Sequence, residues 1–232
     1  MDTFYGIFKK IGDLFVDKSI NQLYDGEYHA ILKLPNGKYA YSQYTGPGTR
    51  LDKRIPLGQN GLTPIDEESK AHDLRYRLAM KKQTKEEVKQ AIREADNIFN
   101  KVIDRLRSEG KENEMNLKQA ELIKVKVFLE GNEVLRDFIY NFNTRKTGQV
   151  DSPELEAMYE KELKKLEQKG YGDNYFNKEY FDRLFTYFPA LKVNKDKWYK
   201  QFGISGNGSE KDDINGFTGG FSFNSIVAVP KF

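Results

Sequence analysis

The chain has 232 residues, with 38 lysines and arginines against 35 aspartates and glutamates. A net charge of +3 is too small to predict general binding to nucleic-acid phosphates, so no specific nucleic-acid partner is expected. The sequence has no cysteine and only two histidines, which excludes disulfide frameworks, thiol nucleophiles and metal sites built from several histidines. No apolar run is long enough to predict a membrane-spanning helix.

The N-terminal segment, residues 1–25, predicts a separate amphipathic helix. Apolar residues recur there every three or four positions, opposite lysines and aspartates: Phe4, Ile7, Phe8, Ile11, Leu14 and Phe15. Such a helix most often packs on its own core, and alternatively lies on a membrane surface or a partner. Its interrupting charges and the lack of a small-residue cleavage site are not typical of a signal peptide.

Residues 28–43 predict a β-hairpin. Two β-rich runs flank Asn36-Gly37, which is a strong short hairpin signal, and Pro35 favours an exposed ribbon. The stretch from residue 44 to residue 64 is rich in glycine and proline, and it predicts a loop throughout.

Two helices joined by a short link are predicted next. Thr63, followed by proline and then by Asp66 in the first turn, predicts a helix start, and this helix is expected to end near Lys82. Thr84 and the glutamate three residues later predict a capping box for the second helix, which Gly110 ends. The short link predicts antiparallel packing of the two helices.

The rest of the sequence predicts a helical, aromatic-rich region over residues 111–202 and an extended tail over 203–232. Residues 115–142 are compatible with a helix, or with a strand at IKVKVFLE, whereas 153–168 predicts a charged helix. The dense aromatic residues that follow are typical of a core or a protein interface, and less of nucleic-acid stacking. The tail has the composition of a flexible arm that adds to the surface of another subunit.

A candidate metal and base site combines a glycine loop with a histidine–aspartate pair. Tyr44 begins the YTGPGT loop, in which Gly46 and Gly48 allow backbone carbonyls to point inward. Ca²⁺ prefers carbonyl and carboxylate oxygens, and Asp73 supplies a carboxylate from the first helix. His72 lies about 100° away round the same helix, where it can serve as a base beside the metal.

Two further residues complete this candidate site. Tyr76 follows His72 by four residues and lies on the same helical face, within reach of a hydrogen bond. Asp96 lies at the edge of the apolar face of the second helix, from which it can reach and orient His72. The acids Glu87 and Glu94 on that helix are better explained as solvated. Each motif is common by itself, and a helical interaction module with a chance motif is the alternative.

The segment YTGPGTRLDKRIPLGQNGLTPIDEESKAHDLRY resembles the phospholipase A2 domain of parvovirus and densovirus minor capsid proteins. That family carries a YxGxG calcium loop, a leucine–aspartate pair, a proline, HDxxY on a helix, and Ala-Asp-x-x-Phe on the next helix. The matching positions here are Tyr44 to Gly48, Leu51-Asp52, Pro56, His72 to Tyr76 and Ala95 to Phe99. Secreted phospholipases A2 share the loop and HDxxY but depend on disulfides, so the lack of cysteine favours the viral branch. The resemblance covers about residues 40–107.

The resemblance implies a mainly α fold, in which residues 26–110 form a phospholipase A2-like core. This core has two antiparallel helices, a calcium loop and a small β-hairpin, and a helical C-terminal region and an extended tail follow it. It also implies calcium-dependent hydrolysis of the sn-2 ester of glycerophospholipids. The resemblance implies that the carbonyls of Tyr44, Gly46 and Gly48 and the carboxylate of Asp73 bind Ca²⁺. It implies that His72 removes a proton from water, that Asp96 orients His72 and that Tyr76 supports this pair. The cation and the Gly46 N–H would stabilise the oxyanion.

By the same resemblance the protein would be a minor capsid component of a virion, made in the host cytoplasm or nucleus. Its partners would be viral capsid proteins and the phospholipid membrane that it breaches as the virus penetrates the cell. The alternative is a structural minor capsid or cement protein with a relict, inactive phospholipase fold. Two departures from the family are a longer loop after Pro56 and Arg54 in place of a common glycine. Both are expected on the rim, where they would affect substrate fit and loop geometry.

Overall fold

The computed structural model describes residues 12–122, 152–168, 178–187, 189–192, 195–201 and 204. Over these residues the chain is mainly helical, with one small antiparallel sheet, so the mainly α class is confirmed at this level. No helix in the described ranges has the length and apolar character needed to cross a bilayer.

The elements follow one another as a hairpin and then a series of helices. The hairpin strands are β1 (Ile31–Lys33) and β2 (Tyr39–Tyr41). The next four helices are α1 (Leu51–Arg54), α2 (Pro64–Ala79), α3 (Lys85–Ser108) and α4 (Glu114–Ala120). Later in the chain come α5 (Pro153–Gln168), α6 (Lys178–Tyr187), a 3-10 helix (Pro189–Lys192) and α7 (Lys195–Gln201).

The predicted hairpin is confirmed, with shorter strands than the sequence pattern suggests. Leu32 pairs with Ala40 across the two strands, and both side chains are fully buried. Gly37 has a φ of 84° in the turn, as a tight hairpin connection requires. Before β1, the carbonyl of Ala30 accepts the amide hydrogen of Ser42, and its amide donates to the carbonyl of Thr45, so the segment that enters β1 also contacts the glycine loop.

The two predicted helices pack antiparallel as α2 and α3. Ile65, near the start of α2, shares a hydrophobic cluster with Leu106, near the end of α3. The capping box of α3 is present, because Thr84 accepts the amide hydrogen of Glu87 and the Glu87 carboxylate accepts that of Thr84. α2 ends at Ala79 and not at Lys82, and residues 80 and 81 form a turn.

The start of α2 is capped differently from the sequence prediction. Thr63 occupies the N-cap position, but its side chain makes no capping hydrogen bond. The carboxylate of Glu112 instead accepts the amide hydrogen of Ile65 at 3.2 Å. Glu112 is buried, and burial raises the pKa of its carboxyl group. A residue remote in sequence therefore supplies a hydrogen-bond acceptor for the first turn of α2.

The prediction of a continuous loop from residue 44 to residue 64 is wrong at residues 51–54, which form the single-turn helix α1. Leu51 and Arg54 are buried on one side of this turn. The carboxylate of Glu27 accepts the amide hydrogen of Arg50 at 2.8 Å, just before the helix begins. A tertiary contact thus fixes the turn, and the surrounding glycines and prolines give no sign of it.

The predicted helix over 153–168 is confirmed as α5, which packs on α2. Tyr159 and Leu166 are fully buried in the main core. Lys70 of α2 forms ion pairs with Glu67 at 2.8 Å and with Glu162 of α5 at 2.9 Å. α5 therefore covers a side of the helix that carries the candidate site.

Several aromatic residues of the C-terminal region lie in the same core. Phe181 and Phe185 of α6 lie 5.8–6.1 Å from the ring centroid of Trp198 of α7. Phe181, Phe185, Trp198 and Tyr199 are all buried. The prediction that such aromatic residues belong to a core is confirmed for these four.

Other predictions fall wholly or partly outside the described residues. The N-terminal helix is one of them, although residues 13–15 form a turn, so that helix does not extend to residue 16. Of the stretch 115–142, only the part in α4 and the two residues after it are described. The tail over 203–232 is outside the described residues except for Ile204.

Candidate active site

His72 and Asp96 meet where α2 packs on α3. The Nε2 atom of His72 lies 2.8 Å from Oδ1 of Asp96, and both side chains are buried. An ionised carboxylate can only accept, so Nε2 carries the hydrogen of the neutral imidazole. Nδ1 is therefore the basic nitrogen of the ring, which is the tautomer that a general base requires.

The imidazole ring of His72 is held in one orientation by its neighbours. The Tyr76 hydroxyl donates to the same Asp96 oxygen at 2.6 Å. The ring centroid of His72 lies 4.4 Å from that of Tyr76 and 4.8 Å from that of Phe99. The expected proximity of Tyr76 is thus present, and Tyr76 acts through the carboxylate that holds His72.

The YTGPGT loop packs closely against the chain that enters β1. The amide of Tyr28 donates to the carbonyl of Pro47 at 3.1 Å, and that of Ala30 donates to the carbonyl of Thr45 at 2.8 Å. A Cβ atom on Gly46 would lie 2.3 Å from the carbonyl oxygen of Tyr28. Glycine is therefore required at position 46 for the loop to approach the hairpin.

The alternate carbonyls of the loop, those of Tyr44 and Gly46, approach one common group. They lie 3.4 Å and 3.2 Å from the hydroxyl oxygen of Thr49. Gly48 has a φ of 82°, in the left-handed region that glycine favours. The Gly46 N–H donates to the Tyr44 carbonyl at 3.1 Å, so the loop closes a tight turn at this point.

Asp66 anchors the loop to the first turn of α2. Its carboxylate oxygens accept the amide hydrogens of four residues at 2.8–3.1 Å: Gln43, Tyr44, Thr45 and Leu62. The Thr45 hydroxyl also bonds to Asp66 and to Ser69, each at 2.9 Å. From the sequence Asp66 is only an acid in a first helical turn, because nothing in the pattern identifies the amides that it binds.

Asp73 lies on the loop-facing side of α2 by helical geometry. It follows Ser69 by four residues and Asp66 by seven, so the three side chains share one face of the helix. Ser69 and Asp66 both contact the loop. His72 lies about 100° round the helix, toward α3. Neighbouring residues of α2 thus serve the loop and the histidine–aspartate pair.

The oxygen atoms around the loop are of the kind that suits Ca²⁺. Backbone carbonyls and one carboxylate are hard ligands, which calcium binds in flexible geometry. In the part of the chain that the structure describes, no group of three or more His, Cys, Asp or Glu side chains could hold a metal. A calcium site here would therefore depend on the backbone carbonyls of the loop together with Asp73.

Arg54 is not on the rim of the site, and the sequence expectation is wrong on this point. Its side chain is about 1% exposed. The guanidinium donates to the carboxylate of Glu27 and to the side-chain oxygens of Gln43 and Gln59. Arg54 therefore lies in the interior beside the loop and not at an exposed rim. Its buried partner, Glu27, lies far away in sequence, which is why the pattern did not reveal the pair.

His29 and Thr49 are two residues at the loop that the sequence did not single out. His29 is buried, with Nδ1 at 2.9 Å from the carbonyl of Ser42 and Nε2 at 3.3 Å from the Thr49 hydroxyl. Burial lowers the pKa of His29, so its ring is neutral at neutral pH. The chain has only two histidines, and this scarcity is the one sequence signal that could have drawn attention to His29.

Comparison with known proteins identifies no relative, because no family model, curated protein or solved structure matches the chain. The functional argument therefore depends on the motifs of the sequence and on the geometry described above.

Proposed function

We propose that the protein is a calcium-dependent phospholipase A2 that hydrolyses the sn-2 ester of glycerophospholipids. The observation that carries the proposal is the buried hydrogen bond of 2.8 Å between His72 and Asp96. This bond leaves Nδ1 of His72 as the basic nitrogen. The adjacent face of the same helix contacts the glycine loop, whose backbone carbonyls are the proposed calcium ligands.

His72 would act first as a general base and then as a general acid. Nδ1 takes a proton from water as the water oxygen bonds to the ester carbonyl carbon. The resulting imidazolium is stabilised by the Asp96 carboxylate, which Tyr76 holds in place. When the bond to the sn-2 oxygen breaks, His72 returns the proton to the departing alkoxide. Water and the ester thus give a fatty acid and a lysophospholipid.

The carbonyls of Tyr44, Gly46 and Gly48 and the carboxylate of Asp73 would hold Ca²⁺. When bound, the cation supplies positive charge that polarises the ester carbonyl. The role of Asp66 would be indirect, since its carboxylate fixes the amides of the loop and so sets the direction of the loop carbonyls.

Exposed apolar side chains support action at a lipid surface. Leu14 and Phe15 are 80% and 67% exposed. Side chains of this size are stabilised when they leave water for the acyl region of a membrane. The proposed setting is a virion, in which the protein would be a minor capsid component that breaches a host membrane.

The test is calcium-dependent release of sn-2 fatty acid from mixed phospholipid vesicles, with and without a calcium chelator. His72→Ala and Asp73→Asn should each abolish release while the protein remains folded. The assay should also include particles treated to expose the protein, since a virion enzyme is enclosed before infection. Release that is absent from every sample, or that survives both substitutions, would reject the proposal in favour of a structural protein with a relict fold.

A further inference from the structure

Three oxygen atoms of the glycine loop and its flank lie near one another. They are the carbonyl oxygens of Tyr44 and Gly46 and the hydroxyl oxygen of Thr49. The hydroxyl lies 3.4 Å from the first carbonyl and 3.2 Å from the second. Thr49 is about 8% exposed, so bulk water contributes little at this point.

These separations are long for hydrogen bonds, because an O–H···O bond is usually about 2.7–2.8 Å between the oxygens. They fit the spacing of neighbouring ligands around one cation. With Ca–O distances of about 2.3–2.6 Å and ligand–Ca–ligand angles of about 72–90°, adjacent oxygens lie about 2.7–3.7 Å apart. The distances of 3.2 Å and 3.4 Å fall inside that range.

The hydrogen atoms around Thr49 lead to the same conclusion. The Ser42 carbonyl can only accept, so Nδ1 of His29 carries the hydrogen and Nε2 is an acceptor. The Thr49 hydroxyl has one hydrogen and three acceptors within reach: Nε2 of His29 at 3.3 Å and the two carbonyls. A hydroxyl that donates to His29 directs its lone pairs toward the carbonyl side. The three oxygens then form an electron-rich group that a cation would satisfy.

We infer that Thr49 is a calcium ligand through its hydroxyl oxygen, and that His29 is the positioning residue that orients this hydroxyl. The inference rests on the proposed function and deepens it, because it adds one side chain to a ligand set otherwise made of backbone carbonyls and Asp73. It also gives a role to the second of the two histidines, at a place remote from the catalytic pair.

The test measures calcium binding directly, by titration calorimetry of the whole chain. Thr49→Val keeps the shape of the side chain and removes the oxygen, and it should raise the dissociation constant by on the order of tenfold. Thr49→Ser keeps the oxygen and should stay within about threefold of the wild type. His29→Leu should also weaken binding by about tenfold, and His29→Gln, which retains an acceptor, should restore part of the loss.

A double variant separates positioning from general structural damage. If His29 acts through the Thr49 hydroxyl, His29→Leu should weaken calcium binding little further when Thr49 is already valine. Additive losses, or wild-type affinity in Thr49→Val, would overturn the inference. Thermal unfolding in chelator checks that each variant is folded without calcium. If Thr49→Val is not folded, Thr49→Ala decides by the same criterion.

The same measurements distinguish this inference from the proposed function. Calcium binding that depends on Thr49, without any phospholipid hydrolysis, would support the ligand assignment and reject the phospholipase. Hydrolysis and calcium binding that depend on Asp73 but not on Thr49 would reject only the ligand assignment. A wild-type chain that binds no calcium would reject both.

Discussion

Arg54 and Glu27 form an ion pair beneath the candidate calcium loop, with both side chains removed from solvent. The pair joins the segment before β1 to helix α1, and Glu27 also accepts the amide hydrogens of Tyr24 and Arg50. Removal of either charge would leave the other buried and uncompensated, which is more costly than the loss of the attraction itself.

Arg54→Gly, which introduces the residue common in the viral enzymes, is therefore expected to destabilise the fold. The free energy of unfolding in urea should fall by about 3–5 kcal/mol. Lys53→Gly is the matched control, because Lys53 is an exposed neighbour in the same short helix and its loss should cost about 1 kcal/mol. Equal effects of the two substitutions would show that the buried pair does not support the loop.

Asp96→Asn is expected to lower kcat by about 10²–10⁴-fold with little change in calcium affinity. The amide can donate to Nε2 of His72, and this favours the tautomer whose Nδ1 is no longer basic. Glu94→Gln is the control, since Glu94 is exposed on the same helix. A rate that is equally insensitive to both changes would show that Asp96 does not orient His72.

Gly46→Ala is expected to weaken calcium binding strongly, because a Cβ atom would lie 2.3 Å from the Tyr28 carbonyl oxygen. Neither partner of that clash is a flexible side chain, so the loop must move away from the hairpin. Gly37→Ala is the comparison: its φ is 84°, but its Cβ would meet no atom within 4 Å. It should cost about 1–2 kcal/mol in stability and leave calcium affinity unchanged. Titration calorimetry that finds the two variants alike would contradict the close packing of the loop.

The ion pair between Lys70 and Glu162 predicts a specific dependence of stability on pH. Burial of Glu162 opposes ionisation, but Lys70, with a smaller contribution from Lys165, outweighs this effect and lowers the pKa of Glu162 to about 2, from 4.5. The contribution of this group to stability, about 3 kcal/mol, is therefore present above pH 4.5 and is lost as the pH falls toward 2.

Unfolding in urea across this pH range provides the measurement. The difference in unfolding free energy between the wild type and Glu162→Gln should be largest above pH 4.5 and should shrink below it. Glu160→Gln, at an exposed position of the same helix, should show no comparable trend. A difference that does not change with pH would rule out the ionised Glu162 as the cause.

Replacing Leu14 and Phe15 by serine is expected to reduce hydrolysis of vesicles much more than hydrolysis of a dispersed short-chain phospholipid. Insertion of each side chain into lipid is worth about 1.5–3 kcal/mol, so the double variant should bind vesicles at least about tenfold more weakly. Vesicle sedimentation measures this binding. Met158→Ser removes another exposed apolar side chain and serves as the control. Equal loss with the control would indicate a general effect of surface hydrophobicity.

The parts of the fold that follow from local pattern were predictable from the sequence. Asn36-Gly37 predicted the hairpin turn, and Thr84 with Glu87 predicted the start of α3. The meeting of His72 and Asp96 followed from two amphipathic helices joined by a short link. In each case the residues that determine the structure lie close together along the chain.

Contacts between segments that are remote in sequence could not be predicted from the local sequence pattern. The helix α1 depends on Glu27, and the cap of α2 comes from Glu112. Asp66 looks like an ordinary first-turn acid until its four amide partners are known. A charged residue such as Arg54 would be placed at the surface from its type alone. Its burial is tolerable only because of its partners, and these come from remote segments.

The bond between Lys70 and Glu162 joins residues 92 positions apart, and it has a consequence for the order of folding. Contacts of large sequence separation form late, since the entropy of closing the intervening chain must be overcome first. A ribosome releases Lys70, His72 and Asp73 well before it releases Glu162. The nascent helix that carries the proposed catalytic residues would therefore lack this partner until most of the chain has been synthesised.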